Sequence, residues 1–273
     1  MSKKNEQGQS LKETLQSAFA TGAILIALIA SYLVYYFVMG NGTNFEGGNP
    51  DGHPIPGNYL AIIYKGGFIV PFLMTCVLVV LIFTLERYVM IRKARGKGRI
   101  NVFVKTIQTA LAGNKIDEAI VACDKQKGSV ANVMRAGLTK YKELKSDSVL
   151  EKDQKVLALQ KDMEESTALE LPMLSKNLVI LSTLASISVL IGLIGTVIGM
   201  IKAFAALAQA GSPDALALAN GISEALINTA FGITGSTLAI IAYNYFSSKI
   251  DALTFKIDEA GFSLVQTFAA TTK

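Results

Sequence analysis

The chain has 273 residues, 51% of them hydrophobic and only 17% charged, with a formal net charge of +5. A soluble domain of this size carries about 25% charged residues, and here the charges are confined to stretches that alternate with long uncharged runs, the pattern of a membrane protein. Two cysteines in unlike surroundings, Cys76 apolar and Cys123 charged, do not make a disulfide framework. A lone histidine, His53, with no cysteine cluster argues against a metal site, and no cofactor is expected.

In chain order, a cytoplasmic tail (1–18) precedes a predicted first transmembrane helix (19–39). Its apolar run is longer than the roughly 7–15 residues of a signal-peptide core. Tyr35, Tyr36 and Phe37 crowd its end where a cleavage site would need small residues, so it reads as an uncleaved helix. Residues 40–65 form a periplasmic loop, of which 40–59, rich in Gly, Asn and Pro, is predicted to be irregular. Three more spans follow, at 66–85, 178–201 and 222–248; each has the roughly 20 residues needed to cross a hydrocarbon core. The loop between the last two, around 211–220, is short, which predicts a tight hairpin.

Orientation follows from the basic residues. Threading the chain four times puts 24 of its 26 Lys and Arg on one side, so both termini and the segment 86–177 are expected in the cytoplasm. The positive charge is thereby a topology signal, mixed with acids, and no nucleic-acid partner is expected. The run Arg92, Lys93, Arg95, Lys97 and Arg99 suits retention on the inner side and contact with lipid headgroups of the bilayer.

The segment 86–177 has helical periodicity: Val102, Val104, Ile107, Leu111; Ile116, Ala119, Ile120, Cys123; Val130, Val133, Met134, Leu138. Gly113-Asn114 and Lys127-Gly128 are predicted breaks. A further helix over 148–175, with Leu150, Leu157, Met163 and Leu169, is predicted to run into the third span, kinked at Pro172. The tail 249–273 follows the fourth span.

The last two spans differ from the first two. The third carries Ser182, Thr183, Ser186, Ser188 and Thr196 with Gly192, Gly195 and Gly199; the fourth carries Asn228, Thr229, Thr234, Ser236 and Thr237 with Gly232 and Gly235. Small residues let membrane helices approach closely, and their hydroxyls and amides need polar partners or water. Ala225, Thr229, Gly232 and Ser236 share one stripe, flanked by Glu224, Asn228 and Gly235. Such a stripe lines a polar seam or simply packs two helices. Glu224 borders the fourth span, where a charge marks a functional site or an interfacial glutamate in water. Glu86-Arg87 ends the second span and reads as a membrane-interface anchor with a local charge pair. No Asp, Glu, Lys, Arg or His lies near the middle of any span, so this chain alone supplies no carrier for a proton relay.

These residues resemble a known family. The run 192–200, GLIGTVIGM, resembles the GLxGTVxGM signature of the MotA/TolQ/ExbB proton channel family, and 221–230, GISEALINTA, is similar to its GIxEALxxTAxG signature, continued by Gly232 and Ala242-Tyr243-Asn244. The likeness spans 66–248 and is nearer ExbB and TolQ than MotA. It implies an all-α integral membrane protein: four transmembrane helices and a helical cytoplasmic segment, assembling as a ring, a homopentamer. The ring would enclose an ExbD/TolR-like single-span partner that carries a membrane aspartate and acts on a TonB/TolA-like protein. By the same resemblance Thr196, Thr229 and Asn228 lie on the ion path, and Glu224 matches the family's functional glutamate. Gly192, Gly195, Gly199 and Gly232 serve helix packing. Two departures stand out: Val189 replaces a proline frequent before the first signature, and the helix at 19–39 is additional to a three-span core. A MotA-type stator and a non-conducting scaffold stay open as readings. An enzyme is not expected, since there is no Walker A run, metal cluster or catalytic triad.

Overall fold

The computed structural model describes residues 20–50, 52–208 and 214–271. Among these the chain is helical throughout apart from turns and one isolated bridge between Phe45 and Pro54. Its helices are α1 (Ala20–Met39), α2 (Tyr59–Tyr64), α3 (Val70–Arg95), α4 (Ile100–Ala112), α5 (Ile116–Gln126), α6 (Ser129–Ser146), α7 (Lys152–Ser175), α8 (Leu178–Leu207) and α9 (Ala215–Thr271). Four stretches of helix are long and apolar enough to cross a membrane, one for each predicted span. The chain divides into two compact units, Met1–Leu85 with Val179–Tyr243, and Glu86–Leu178 with Asn244–Lys273.

In the first unit, α1 ends in a π-helical stretch, Val34–Met39, which brings Tyr35 inward. The Tyr35 ring stacks on Tyr64 with centroids 4.7 Å apart, and its hydroxyl donates to the Tyr64 carbonyl at 2.9 Å. Met39 and Val70 complete this small core, with Met74 and Ile227 packed against it. The stretch 40–58 holds only short helical turns and one bridge, as its composition implies, and α2 follows it; the Asn58 side chain caps the N-terminus of α2 and also donates to Asn44 at 2.9 Å. Apolar side chains of α1 such as Ile26, Ile29 and Phe37 stay exposed, as suits a surface facing lipid.

The second unit packs α4 to α7 and the C-terminal part of α9 around one core. Val104, Ile107 and Leu111 meet Met134 and Leu138, Leu159, and Ile257, Leu264 and Phe268. The predicted periodicity marks this core on α4 to α6, except that Val102 faces outward. On α7 it holds at Met163, which is buried, but Leu157 and Leu169 are exposed and Leu159, outside the predicted set, is buried instead. Dense charge on that helix leaves no clean apolar stripe to read. Cys123 lies in the core at 2% exposure, and burial, the first cause, pushes its thiol up to about 12.

The breaks at Gly113-Asn114 and Lys127-Gly128 fall where predicted, with φ of +56° at Asn114, +55° at Lys127 and +86° at Gly128. Gly128 is required twice over: its φ is left-handed, and a Cβ would strike the Ala94 carbonyl and the Gly96 amide. Two expectations need correction. The helix at 148–175 does not continue into the third span, because Asn177 takes φ +62° and ends it after the Lys176 amide bonds to the Pro172 carbonyl. Pro172 itself stays inside α7. At the other hairpin, Ala215–Asn220, taken as loop, is already α9, which runs on past 248 to Thr271 without a break; residues 209–213 lie outside the described region.

Between α6 and α7, the Asp147 carboxylate accepts from the amides of Val149 and Leu150 at 2.7 and 3.2 Å. These bonds hold its carboxyl below the usual range, the Val149 bond contributing most. A depressed folded-state value means the contribution is present above the unfolded value and lost as pH falls through the folded one. Amide-exchange protection at Val149 and Leu150, corrected for intrinsic rate, is expected to fall on acidification below the normal carboxylate range. In Asp147→Ala it is expected to be low at every pH.

Candidate functional site in the helical hairpin

Within the first unit, α8 and the start of α9 touch through their backbones. A Cβ on Gly192 would lie 3.1 Å from the Cα of Gly232, and one on Gly195 would lie 2.5 Å from the Asn228 Cβ. One on Gly199 would lie 2.6 Å from both the Ala225 nitrogen and the Gly221 oxygen. Small residues at these positions let the two helices reach contact distance, and dispersion with interhelical hydrogen bonds then holds them in lipid.

Polar groups sit along this seam. The hydroxyls of Thr196 and Thr229 hydrogen-bond each other across it, 2.5 Å apart. Each hydroxyl is also in reach of its own helix, Thr196 donating to the Gly192 carbonyl at 3.0 Å and Thr229 to the Ala225 carbonyl at 3.1 Å. Two hydroxyl protons thus serve three contacts, and acceptor lone pairs remain for an additional donor. Both threonines are partly exposed, so this pair is reachable from the surface of the unit.

Asn228, fully buried, donates from Nδ2 to the Gly66 carbonyl at 2.9 Å, while its Oδ1 is buried without a protein partner. Glu224, 6% exposed, lies one turn earlier. Its carboxylate accepts two bonds from the Lys202 ammonium, at 2.7 and 2.8 Å. Of the two readings left open for Glu224, the interfacial glutamate in water does not fit this geometry: the group is enclosed and paired.

Lys202 was not singled out from the sequence. A signal was there: it is the one basic residue in 178–248, and a buried carboxylate in such a stretch needs a counter-charge. The structure thus gathers Thr196, Thr229, Asn228, Glu224 and the four glycines Gly192, Gly195, Gly199 and Gly232 along one hairpin. Glu86 and Arg87 belong to the second unit. There Arg87 grips both Glu86 oxygens, at 2.6 and 2.5 Å, and donates to the Leu174 carbonyl at 3.1 Å. The expected local charge pair is thus present, and Arg87 itself is buried, at 1% exposure. Among the described residues, no group of three or more His, Cys, Asp or Glu could hold a metal ion.

Apolar membrane-length helices, a glycine-backed hairpin and a hydroxyl pair on its seam define a helical membrane protein with a polar track. Residues 125–259 match the model of the MotA/TolQ/ExbB proton channel family, and this match, with the relatives that follow, supports that family for the chain. Among its relatives, the Tol-Pal system protein TolQ of Pseudomonas aeruginosa is 33% identical over 124 residues, 45% of this chain and 54% of that protein. TolQ of Haemophilus influenzae is 42% identical over 84 residues, 31% of this chain and 37% of that one. The biopolymer transport protein ExbB of Salmonella typhimurium is 39% identical over 70 residues, 26% of this chain and 29% of that protein. The chain thus spans about half, or less, of the length of these relatives.

Proposed function

We propose that this chain is the channel-forming subunit of an inner-membrane motor driven by the proton-motive force, of the ExbB/TolQ kind. It assembles as a ring, a homopentamer, with both termini and the segment 86–177 in the cytoplasm. A single-span ExbD/TolR-like partner sits inside the ring and brings the membrane aspartate; a TonB/TolA-like protein carries the output to the envelope. The observation that carries this reading is the Thr196–Thr229 pair, partly exposed on a glycine-backed seam in spans without Asp, Glu, Lys, Arg or His at mid-depth. Hydroxyls without a titratable neighbour can relay or coordinate an ion but cannot hold a proton, so the carrier has to come from a partner.

Co-expression with the single-span protein, purification and native mass measurement test the assembly, and five subunits with two partners is the expected result. A ring without a partner would favour a scaffold. In liposomes, the complex is expected to conduct protons under an imposed potential. Thr229→Ala removes one side of the hydroxyl pair, and its flux is expected to fall about tenfold or more, the equivalent of one lost hydrogen bond on the path. Unchanged flux in Thr229→Ala and Thr196→Ala would count against the track.

A further inference from the structure

Glu224 stands where three parts of the first unit meet. On one side is Lys202 of α8, and the two ends of that ion pair are unequal: the lysine side chain is 51% exposed, the glutamate side chain 8%. On the other side is Gly67, just ahead of α3, at φ +78°. A Cβ there would lie 2.5 Å from the Glu224 Oε1, so the bare glycine makes room for the carboxylate. One turn further along α9, Asn228 ties to Gly66, the neighbour of Gly67. Glu224 and Asn228 therefore fix the same two-residue entry to α3, at successive turns of one helix face. Thr229, next to Asn228 on α9, meets Thr196 of α8 across the seam.

The two charges depend on each other unequally. A carboxylate this enclosed is costly to leave without its counter-charge. A lysine with half its side chain outside can turn its ammonium toward water.

We propose that Lys202 is a positioning residue for the ion path: it neutralises Glu224 and holds it against Gly67, making Glu224 a static clasp between α9, α8 and the entry to α3. Ions then pass along the Thr196–Thr229 pair and do not ride on Glu224. This rests on the conducting function proposed above.

The test is proton flux through liposomes holding the full chain with its single-span partner, comparing K202M, E224Q, the double variant K202M/E224Q and K202R. Enclosure predicts an order opposite to that of a carrier. K202M is expected to lose about tenfold or more, because it strands the buried carboxylate. E224Q, which keeps an acceptor for the ammonium, is expected to stay within about threefold of wild type. The double variant, with neither charge, recovers to a similar level, and K202R stays near wild type. If Glu224 carries the ion, E224Q and the double variant fall together to the level of Thr229→Ala, which overturns the proposal. Should K202M fail to assemble, the same order is read from thermal stability and gel filtration: rescue by the second substitution supports the clasp, and no rescue overturns it. A wild-type complex that assembles but passes no protons removes the conduction reading itself, and the path role of Lys202 with it.

Discussion

Gly199→Leu is expected to separate the hairpin. A side chain at this position meets backbone on the facing helix, at Ala225 and Gly221, and backbone cannot swing aside as a flexible side-chain tip does. Reciprocally, a Cβ at Gly221 would lie 2.7 Å from the Gly199 oxygen, so the helices are closed on both sides of this contact. Overpacking of this kind costs about 3 kcal/mol. The loss extends to the track, because Thr196 lies less than one turn away and reaches Thr229 only at the present helix separation. The expected result is loss of the assembled complex in detergent, or a large fall in its melting temperature, together with loss of flux. Gly22→Leu is the control: nothing lies within 4 Å of a Cβ there, and stability should not change.

Arg87→Ala is expected to be the most damaging charge removal in the second unit. Arg87 is 1% exposed and satisfies both Glu86 oxygens and the Leu174 carbonyl. Truncation leaves Glu86, at 19% side-chain exposure, without its partner and the Leu174 carbonyl without a donor. Breaking a buried pair in this way costs about 3 kcal/mol, while a fully apolar replacement of both partners can be close to neutral. Lysine is a poor substitute, since one ammonium does not reproduce the planar fork that spans the two oxygens and the carbonyl. Thermal unfolding of Arg87→Ala, Arg87→Lys and Arg135→Ala should give a graded series. Arg135 pairs with Asp124 on the surface, at 59% and 53% exposure, and its removal should cost less than about 1 kcal/mol.

What could be read from the chain divides along physical lines. The four spans are legible because length and hydropathy alone decide them. The breaks at Gly113-Asn114 and Lys127-Gly128 are legible because turn residues act locally. The stop at Asn177 is not: Asn occupies the left-handed region only where its surroundings ask for it, and the nearby Pro172 is the stronger but misleading cue. The residue types of the hairpin site are visible as a stripe of Gly, Thr, Asn and Glu. Their partners are not, because Lys202 meets Glu224 across a turn and Asn228 meets Gly66 across 162 residues of chain. Arg87 illustrates the same limit, since its burial depends on a carbonyl 87 residues away.

The enclosure of both cysteines has a practical side. Cys76 and Cys123 are 7% and 2% exposed. Burial also pushes the Cys123 thiol up to about 12, and it is the thiolate that reacts with thiol reagents. The unaltered chain is therefore a nearly silent background for spectroscopic reporters. A single cysteine introduced at an exposed hairpin position outside the seam, such as Val197 or Ile233, would carry a spin label or fluorophore alone, and the motion of the hairpin under an applied voltage could be followed without first removing either native thiol.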